Sequence, residues 1–230
     1  MFDVWIHNNC LLSDVEKEYR AQDFLQSIFD ELFELVEDLT DNIHVTISGE
    51  PRYLKIKDEV HVHQLDKKQG WPWCEIEPIK YIKNYYKDKP NTKILYFNNF
   101  GVVQGDGDLH TIRKIISSTL ISNHKKCLEL LNDSDMVGMN MHGEFGNFQA
   151  NMWYCNSEHI KKVPIPNHVE ELQTLDYSPE SLTAFPAEKV IYDLIGYVDH
   201  DIGEWWKKTD KNFHVEVKER KHEGHWPGGW

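Results

Sequence analysis

Short apolar stretches in this chain alternate with segments in which apolar residues recur every three or four positions. The first stretch, Phe2 to His7, predicts a strand that ends at the turn-like pair Asn8-Asn9. Apolar residues from Phe24 to Leu39 recur at helical spacing, and Ile43 to Ile47 then predicts a second strand that stops at Ser48-Gly49. The chain is therefore predicted to begin with a β-α-β unit.

The same alternation continues through the middle of the chain. A short strand is predicted at His61 to His63, a helix from Ile76 to Tyr86, and a buried strand from Ile94 to Asn98. One or two helices are predicted between Leu109 and Leu131, and a further strand begins at about Met136. Strands that alternate with helices predict an α/β fold, with a mainly parallel sheet flanked by helices. Ligand groups are then expected at the carboxyl ends of the strands.

The C-terminal third of the chain has a different residue pattern from the rest. Four prolines lie between residues 164 and 186, and a last helix is predicted from about Glu188 to Val198. We expect an α/β core over residues 1–165 and a C-terminal extension over residues 166–230 that packs on it.

Charge and cysteine content narrow the function class. The formal net charge is -13, which disfavours a nonspecific nucleic-acid binder, although Lys207 to Lys221 forms a local basic stretch. The four cysteines show no CxxC spacing, and the N-terminus shows no secretory signal. No segment is apolar over the roughly 18 residues that a membrane span needs. We therefore expect a cytoplasmic protein without an integral membrane segment.

Amides and aromatic rings are mixed in one block, Asn147 to Tyr154. If this block is one alternating strand, Asn147, Gln149 and Asn151 share a face and offer donors and acceptors to sugar hydroxyls. Trp153 offers a flat face to sugar C–H groups. Asn98 and Asn99, which end the Ile94 strand, are expected to join this sugar site.

Carboxylates and histidines near these strands are candidates for chemistry. Asp106 and Asp108 flank one glycine just after the Ile94 strand, and two carboxylates at that spacing could hold Mn²⁺ or Mg²⁺. Glu144 and His142 lie in a loop before the polar-aromatic block, where either could take a proton from an acceptor. An ordinary turn and a solvated loop are the alternatives for the two pairs. His222 and His225, near the end, offer a further imidazole pair.

The order of these motifs resembles a small glycosyltransferase-like family of bacteria, phages and large viruses, which has a GT-A type nucleotide-sugar fold. The motifs that carry the resemblance span about residues 2 to 165 and are Ile47-Ser48-Gly49, Trp73-Cys74-Glu75, Leu95 to Gly101, Val137-Gly138 and Asn147 to Tyr154. Asn98 and Phe100 stand where the family has His and Lys. Gln149 and Ala150 stand where it has Ser and Gly.

The resemblance implies transfer of a sugar from a nucleoside-diphosphate donor to a hydroxyl acceptor, with Gly49 near the nucleotide. A surface glycan is the expected acceptor, and hydroxylated DNA bases, which some phages carry, are the alternative. Two other functions stay open. The departures at Asn98 and Phe100 would suit a non-catalytic nucleotide- or sugar-binding module, and Asp106, Asp108 and the histidines would suit a metal-dependent hydrolase.

Overall fold

The computed structural model describes residues 2–10, 15–49, 54–65, 73–99, 107–139, 141–142, 147–148, 151–165, 190–196 and 217–222. The helices are α1 Val15–Val36, α2 Trp73–Tyr86, α3 Gly107–Ser122, α4 His124–Leu130 and α5 Ser157–Lys162. The strands are β1 Phe2–Cys10, β2 Ile43–Gly49, β3 His61–Gln64, β4 Lys93–Asn98, β5 Ser134–Met139, β6 Met141–His142, β7 Asn147–Phe148, β8 Trp153–Asn156, β9 Val190–Gly196 and β10 Val217–His222. No helix within these ranges is long and apolar enough to cross a membrane.

Eight of the described strands form one sheet in the order β10-β9-β5-β8-β4-β1-β2-β3. The β1–β2, β1–β4, β2–β3 and β5–β9 pairs are parallel, whereas β8 is antiparallel to both β4 and β5, and β10 is antiparallel to β9. Most strands therefore share one direction, which confirms the predicted α/β fold with a mainly parallel sheet.

Helices cover both faces of this sheet. One apolar cluster joins α1, α3 and α4 to one face, and a second joins α2 and α5 to the other. In α1, Leu25, Ile28, Leu32 and Val36 recur at helical spacing and are all buried, so a single apolar stripe of the helix packs against the sheet. In β1, β4 and β8, alternate residues enter opposite clusters, as Trp5 and Ile6 do.

The predicted helix from about Glu188 to Val198 is wrong. The segment near residue 190 is the strand β9, in which Val190, Ile191 and Tyr192 are residues that favour extended backbone, and it lies beside β5. Because β9 joins the main sheet, the sheet takes strands from both predicted segments of the chain.

The polar-aromatic block is also not one alternating strand. Its first part, β7, pairs with β6 in a separate two-stranded sheet, whereas β8 belongs to the main sheet. Asn151, between them, has φ of 49°, a left-handed conformation that breaks a strand and that Asn tolerates better than most residues. Asn147 and Trp153 therefore belong to different sheets.

Candidate functional site at the carboxyl edge of the sheet

The strand order reverses between β1 and β4. From β1 the chain moves outward to β2 and β3 on one side, and then returns to place β4 on the other side of β1. In open α/β sheets, ligands bind outside the carboxyl ends of the strands, at the point where the strand order reverses. We call this place the switch crevice; it is bounded by Asn8 to Cys10 at the end of β1, by Asn98 at the end of β4, and by Asn99 directly after β4.

Asn99 joins the two strand ends. Its Nδ2 donates to the carbonyl oxygen of Asn9 at 3.1 Å, and its Oδ1 accepts from the N–H of Asn9 at 3.0 Å. The N–H of Asn99 also donates to the carbonyl oxygen of His7 at 3.2 Å. The side chain thus extends the β1–β4 pairing beyond the end of β4, and its place in the crevice is structural.

Polar side chains form a row across three neighbouring strands just before they end. His7 of β1 pairs with Thr46 of β2 on one side and with Asn98 of β4 on the other. All three are buried on the face covered by α2, and the Nδ1 of His7 lies 3.1 Å from the Oγ1 of Thr46. Buried polar groups cost stability unless they are hydrogen-bonded, so a polar row in an otherwise apolar sheet is typical of a functional site.

The end of β2 is held in an unusual conformation. Gly49 pairs with Cys10 and has φ of 93°, which a residue with a Cβ adopts only with strain. The Nε2 of Gln64, from β3, donates to the carbonyl oxygen of Gly49 at 2.8 Å and holds the end of β2 in place. Burial raises the pKa of the Cys10 thiol to about 12, so the thiol at this edge is neutral at physiological pH.

Asn151 and Trp153 hold each other at the same edge of the sheet. Trp153 pairs with Tyr96 of β4, and the two rings stack with centroids 4.8 Å apart. The Nε1–H of Trp153 donates to the Oδ1 of Asn151 at 2.9 Å. Trp153 has no accessible surface, so its ring packs in the core and does not present the open face expected of a sugar platform.

The other predicted residues fall in two groups. The structure pairs His142 with Asn147 in the β6–β7 sheet, and it places Asp108 as the second residue of α3. Asp106, Glu144 and Gln149 lie outside the described residues. Within the described part of the chain, no group of three or more His, Cys, Asp or Glu side chains is placed to share a metal ion.

Asn8 was missed by the sequence reasoning. The pair Asn8-Asn9 was expected to be a turn, but β1 continues to Cys10, and Asn8 pairs with Ile47 of β2. Asn8 has no accessible surface. The sequence signal for Asn8 was its position, because Asn8 places an amide where the alternation of Val4 and Ile6 continues.

A cleft of about 340 Å³ lies at the opposite edge of the sheet, where α1 ends and β2 begins. Half of its lining residues are acidic, and the lining consists of Phe33, Glu37, Asp38, Thr40, Asp41, Ile43, Glu59 and Val60. Lys57 lies over the Phe33 ring and pairs with Glu37 at 2.6 Å. An acidic lining repels a diphosphate, so the switch crevice is the better candidate for an anionic ligand.

Comparison with known proteins does not establish a family. No protein-family model and no curated protein matches the chain. A solved structure of a proposed nucleotide-diphospho-sugar transferase from Desulfovibrio desulfuricans G20 is similar at a TM-score of 0.41 and 8% identity, over 85% of this chain and 80% of that chain. A likeness at this level demonstrates neither a shared fold nor a shared activity.

Proposed function

We propose that the protein is a glycosyltransferase that moves a hexosyl or pentosyl group from a nucleoside-diphosphate donor to a hydroxyl acceptor. The observation that carries the proposal is the reversal of strand order at β1 and β4. Ligands of open α/β sheets bind at such a point, outside the carboxyl ends of the strands. The motif resemblance over residues 2 to 165 supports a sugar nucleotide as that ligand.

The helices suit an anionic donor. α1 follows β1, α2 follows β3 and α3 follows β4, so each of these helices begins at the carboxyl edge of the sheet. The N-terminus of a helix carries a partial positive charge and unpaired N–H groups, both of which favour phosphate. The donor diphosphate would therefore lie at the edge that holds the switch crevice.

The proposed roles of individual residues follow the chemistry of their side chains. Gly49 and Asn98 would contact the donor, together with the amides Asn147, Gln149 and Asn151. Asp106 and Asp108 would hold Mn²⁺ or Mg²⁺, which would offset the charge of the leaving diphosphate. Glu144, or His142 in its place, would take the proton of the acceptor hydroxyl.

A glycan is the acceptor that charge favours. A net charge of -13 disfavours a DNA acceptor, because phosphate contacts need a basic surface. Binding of a glycan acceptor does not need a basic surface. DNA with hydroxylated bases remains the alternative acceptor, through the basic stretch from Lys207 to Lys221.

A ligand screen by thermal shift tests the proposal. Nucleoside diphosphates and sugar nucleotides would be added with and without Mn²⁺ or Mg²⁺. At 100 times its dissociation constant, a ligand stabilises the folded state by about 2.7 kcal/mol, which raises the melting temperature by roughly 5 to 11 °C. If no nucleotide shifts the melting temperature under any metal condition, the transferase proposal is wrong.

A double substitution separates turnover from binding. Asp106→Asn with Asp108→Asn is expected to abolish metal-dependent transfer and donor hydrolysis, because a neutral amide does not offset the developing negative charge. Binding of the nucleoside is expected to survive. The matched control is Asp38→Asn with Asp41→Asn, two carboxylates that line the cleft at the opposite edge.

The outcomes of that experiment are distinct. Full activity in the Asp106 and Asp108 double variant would remove these residues from the proposed site. A wild-type protein that binds sugar nucleotides but neither transfers nor hydrolyses them, over a broad acceptor panel, would identify a non-catalytic binding module instead.

A further inference from the structure

The amide of Asn8 is buried without a partner. Asn8 has no accessible surface, and among the residues that the structure describes neither its Oδ1 nor its Nδ2 has a hydrogen-bond partner. It lies on the face of β1 that α1 packs against, in line with the apolar side chains of Val4 and Ile6. A polar group therefore stands in a position where the pattern of the strand calls for an apolar one.

Two other asparagines of this sheet region, Asn99 and Asn156, are hydrogen-bonded through their amides. Asn99 bonds both backbone groups of Asn9 through its side chain. The Nδ2 of Asn156 donates to the carbonyl oxygens of Leu131 and Ser134, at 2.8 and 3.1 Å. Most buried polar groups in folded proteins have a partner, and each exception calls for an explanation. Asn8 is such an exception, located at the crevice where a ligand is expected.

The chemistry of the amide limits what could satisfy it. Asn offers one acceptor oxygen and two N–H donors that lie side by side. A phosphate presents acceptors alone and would leave the Oδ1 of Asn8 without a donor. A nucleobase edge presents a ring or amino N–H beside a carbonyl oxygen or ring nitrogen, and so it can satisfy both atoms of the amide at once.

We propose that Asn8 binds the nucleobase of the donor through its buried amide, and that the free protein is less stable because this amide is unsatisfied. The inference rests on the proposed function, since it assigns the base-binding residue of the same crevice. Asn8 has no accessible surface in the free protein. The site must therefore open locally before a base reaches it.

The substitution Asn8→Leu tests the inference, because leucine has nearly the shape of asparagine and no polar atom. Replacing an unsatisfied buried amide by an apolar group of the same shape removes a desolvation penalty. The melting temperature of the free variant is expected to rise by about 2 to 10 °C. Nucleoside affinity, measured by calorimetry with uridine, cytidine, adenosine and guanosine, is expected to fall at least about tenfold.

Asn99→Leu is the matched control. Asn99 is also a buried asparagine at this edge, but both of its amide atoms are bonded to Asn9. The control is expected to lower the melting temperature, because it leaves the N–H and carbonyl of Asn9 without these partners. Opposite signs for the two variants would show that Asn8, unlike Asn99, does not serve the stability of the free protein.

The possible results separate this inference from the proposed function. A lower melting temperature for Asn8→Leu, or unchanged nucleoside affinity, would overturn the inference while leaving the transferase proposal in place. Loss of affinity for free sugars, with nucleoside binding unchanged, would also overturn it. Nucleoside binding that depends on Asn8, in a protein with no transferase or donor-hydrolase activity, would support the inference and reject the proposed function.

Discussion

At the scale of single residues, Asn151 shows how one side chain can have two structural duties. Its backbone takes the left-handed conformation, with φ of 49°, and its Oδ1 accepts the indole N–H of Trp153 at 2.9 Å. Asn151 and Trp153 are both buried, so Asn151 makes both contributions in the free protein. A loss of binding in an Asn151 variant would therefore not by itself identify a ligand contact.

Two substitutions at Asn151 separate these duties. Asn151→Gly removes the hydrogen bond but tolerates the positive φ, whereas Asn151→Ala removes the hydrogen bond and also pays backbone strain. We expect the free energy of unfolding to fall by about 1 to 3 kcal/mol for Gly, and by about 1 kcal/mol more for Ala. Urea unfolding measures both values. An alanine variant as stable as the glycine variant would show that the left-handed conformation carries no strain.

At the scale of elements, the buried His44 and the half-buried His63 link β2 and β3 to α2. The Nδ1 of His44 lies 3.0 Å from the Nε2 of His63, and the Nδ1 of His63 lies 3.0 Å from the hydroxyl of Tyr81. The Nε2 of His44 is 4.0 Å from the carboxylate of Asp3. The carboxylate favours a proton on that nitrogen, so His63 would donate to His44, and Tyr81 to His63. The Trp5 ring stacks on His44 with centroids 4.2 Å apart.

This arrangement needs both imidazoles to be neutral. Burial lowers the pKa of His44 to about 3, and the positive charges of His63, His61 and Lys89 add to the effect. Burial, followed by His61 and Lys89, also lowers the pKa of His63. Since the pKa values of both histidines lie below 6.5 in the folded state, these two side chains bind protons more readily in the unfolded chain. The stabilising contribution of the two neutral histidines is therefore fully present above about pH 6.5, and it is lost as the pH decreases toward their pKa values in the folded state.

The pH dependence of unfolding tests this pair. Between pH 7.5 and pH 5, the buried His44 can lower the free energy of unfolding by up to about 1.4 kcal/mol per pH unit below 6.5. His63 is partly exposed, so solvent screening makes its contribution smaller. Carboxylates also titrate in acid, so the informative quantity is the difference between the wild type and His44→Gln. The variant is expected to show the smaller decrease in urea unfolding experiments. Equal decreases in the two proteins would show that His44 does not titrate on unfolding in this range.

At the scale of the whole molecule, the order of the strands decides which parts are most stable. β4 and β1 have strand neighbours on both sides and helices over both faces. β3 is the last strand on its side within the described sheet, and Val62 in it is 50% exposed. Stability against local opening follows burial and pairing, so β3 should open before β1 and β4.

Hydrogen exchange measures that gradient. Backbone amides of residues 93–98 in β4 are expected to exchange much more slowly than those of residues 61–64 in β3 at pH 7. Peptide-level mass spectrometry resolves the two strands, and β2 is expected to fall between them. Protection in β3 equal to that in β4 would show that the β3 edge is covered in solution.

The pattern of apolar residues determined the element types over most of the described chain. β2, β3, β4, β5 and the helices α1 to α4 lie where the periodicity predicted strands and helices, because burial of one face imposes that periodicity locally. The α/β class and the mainly parallel sheet followed from the alternation of these elements. The β9 strand was predicted as a helix, since a short apolar run fits either period.

Only the tertiary structure decided which polar residues are structural. The sequence presents Asn8, Asn99 and Asn151 as equivalent amides near strand ends, but their partners lie 90 residues away for Asn99 and two residues away for Asn151, and the described chain supplies none for Asn8. Hydrogen-bond satisfaction depends on distances across the fold, which no local pattern encodes. The sequence thus determined the kind of fold, whereas the packing of β1 between β2 and β4 decided that the Asn8 amide has no partner among the described residues.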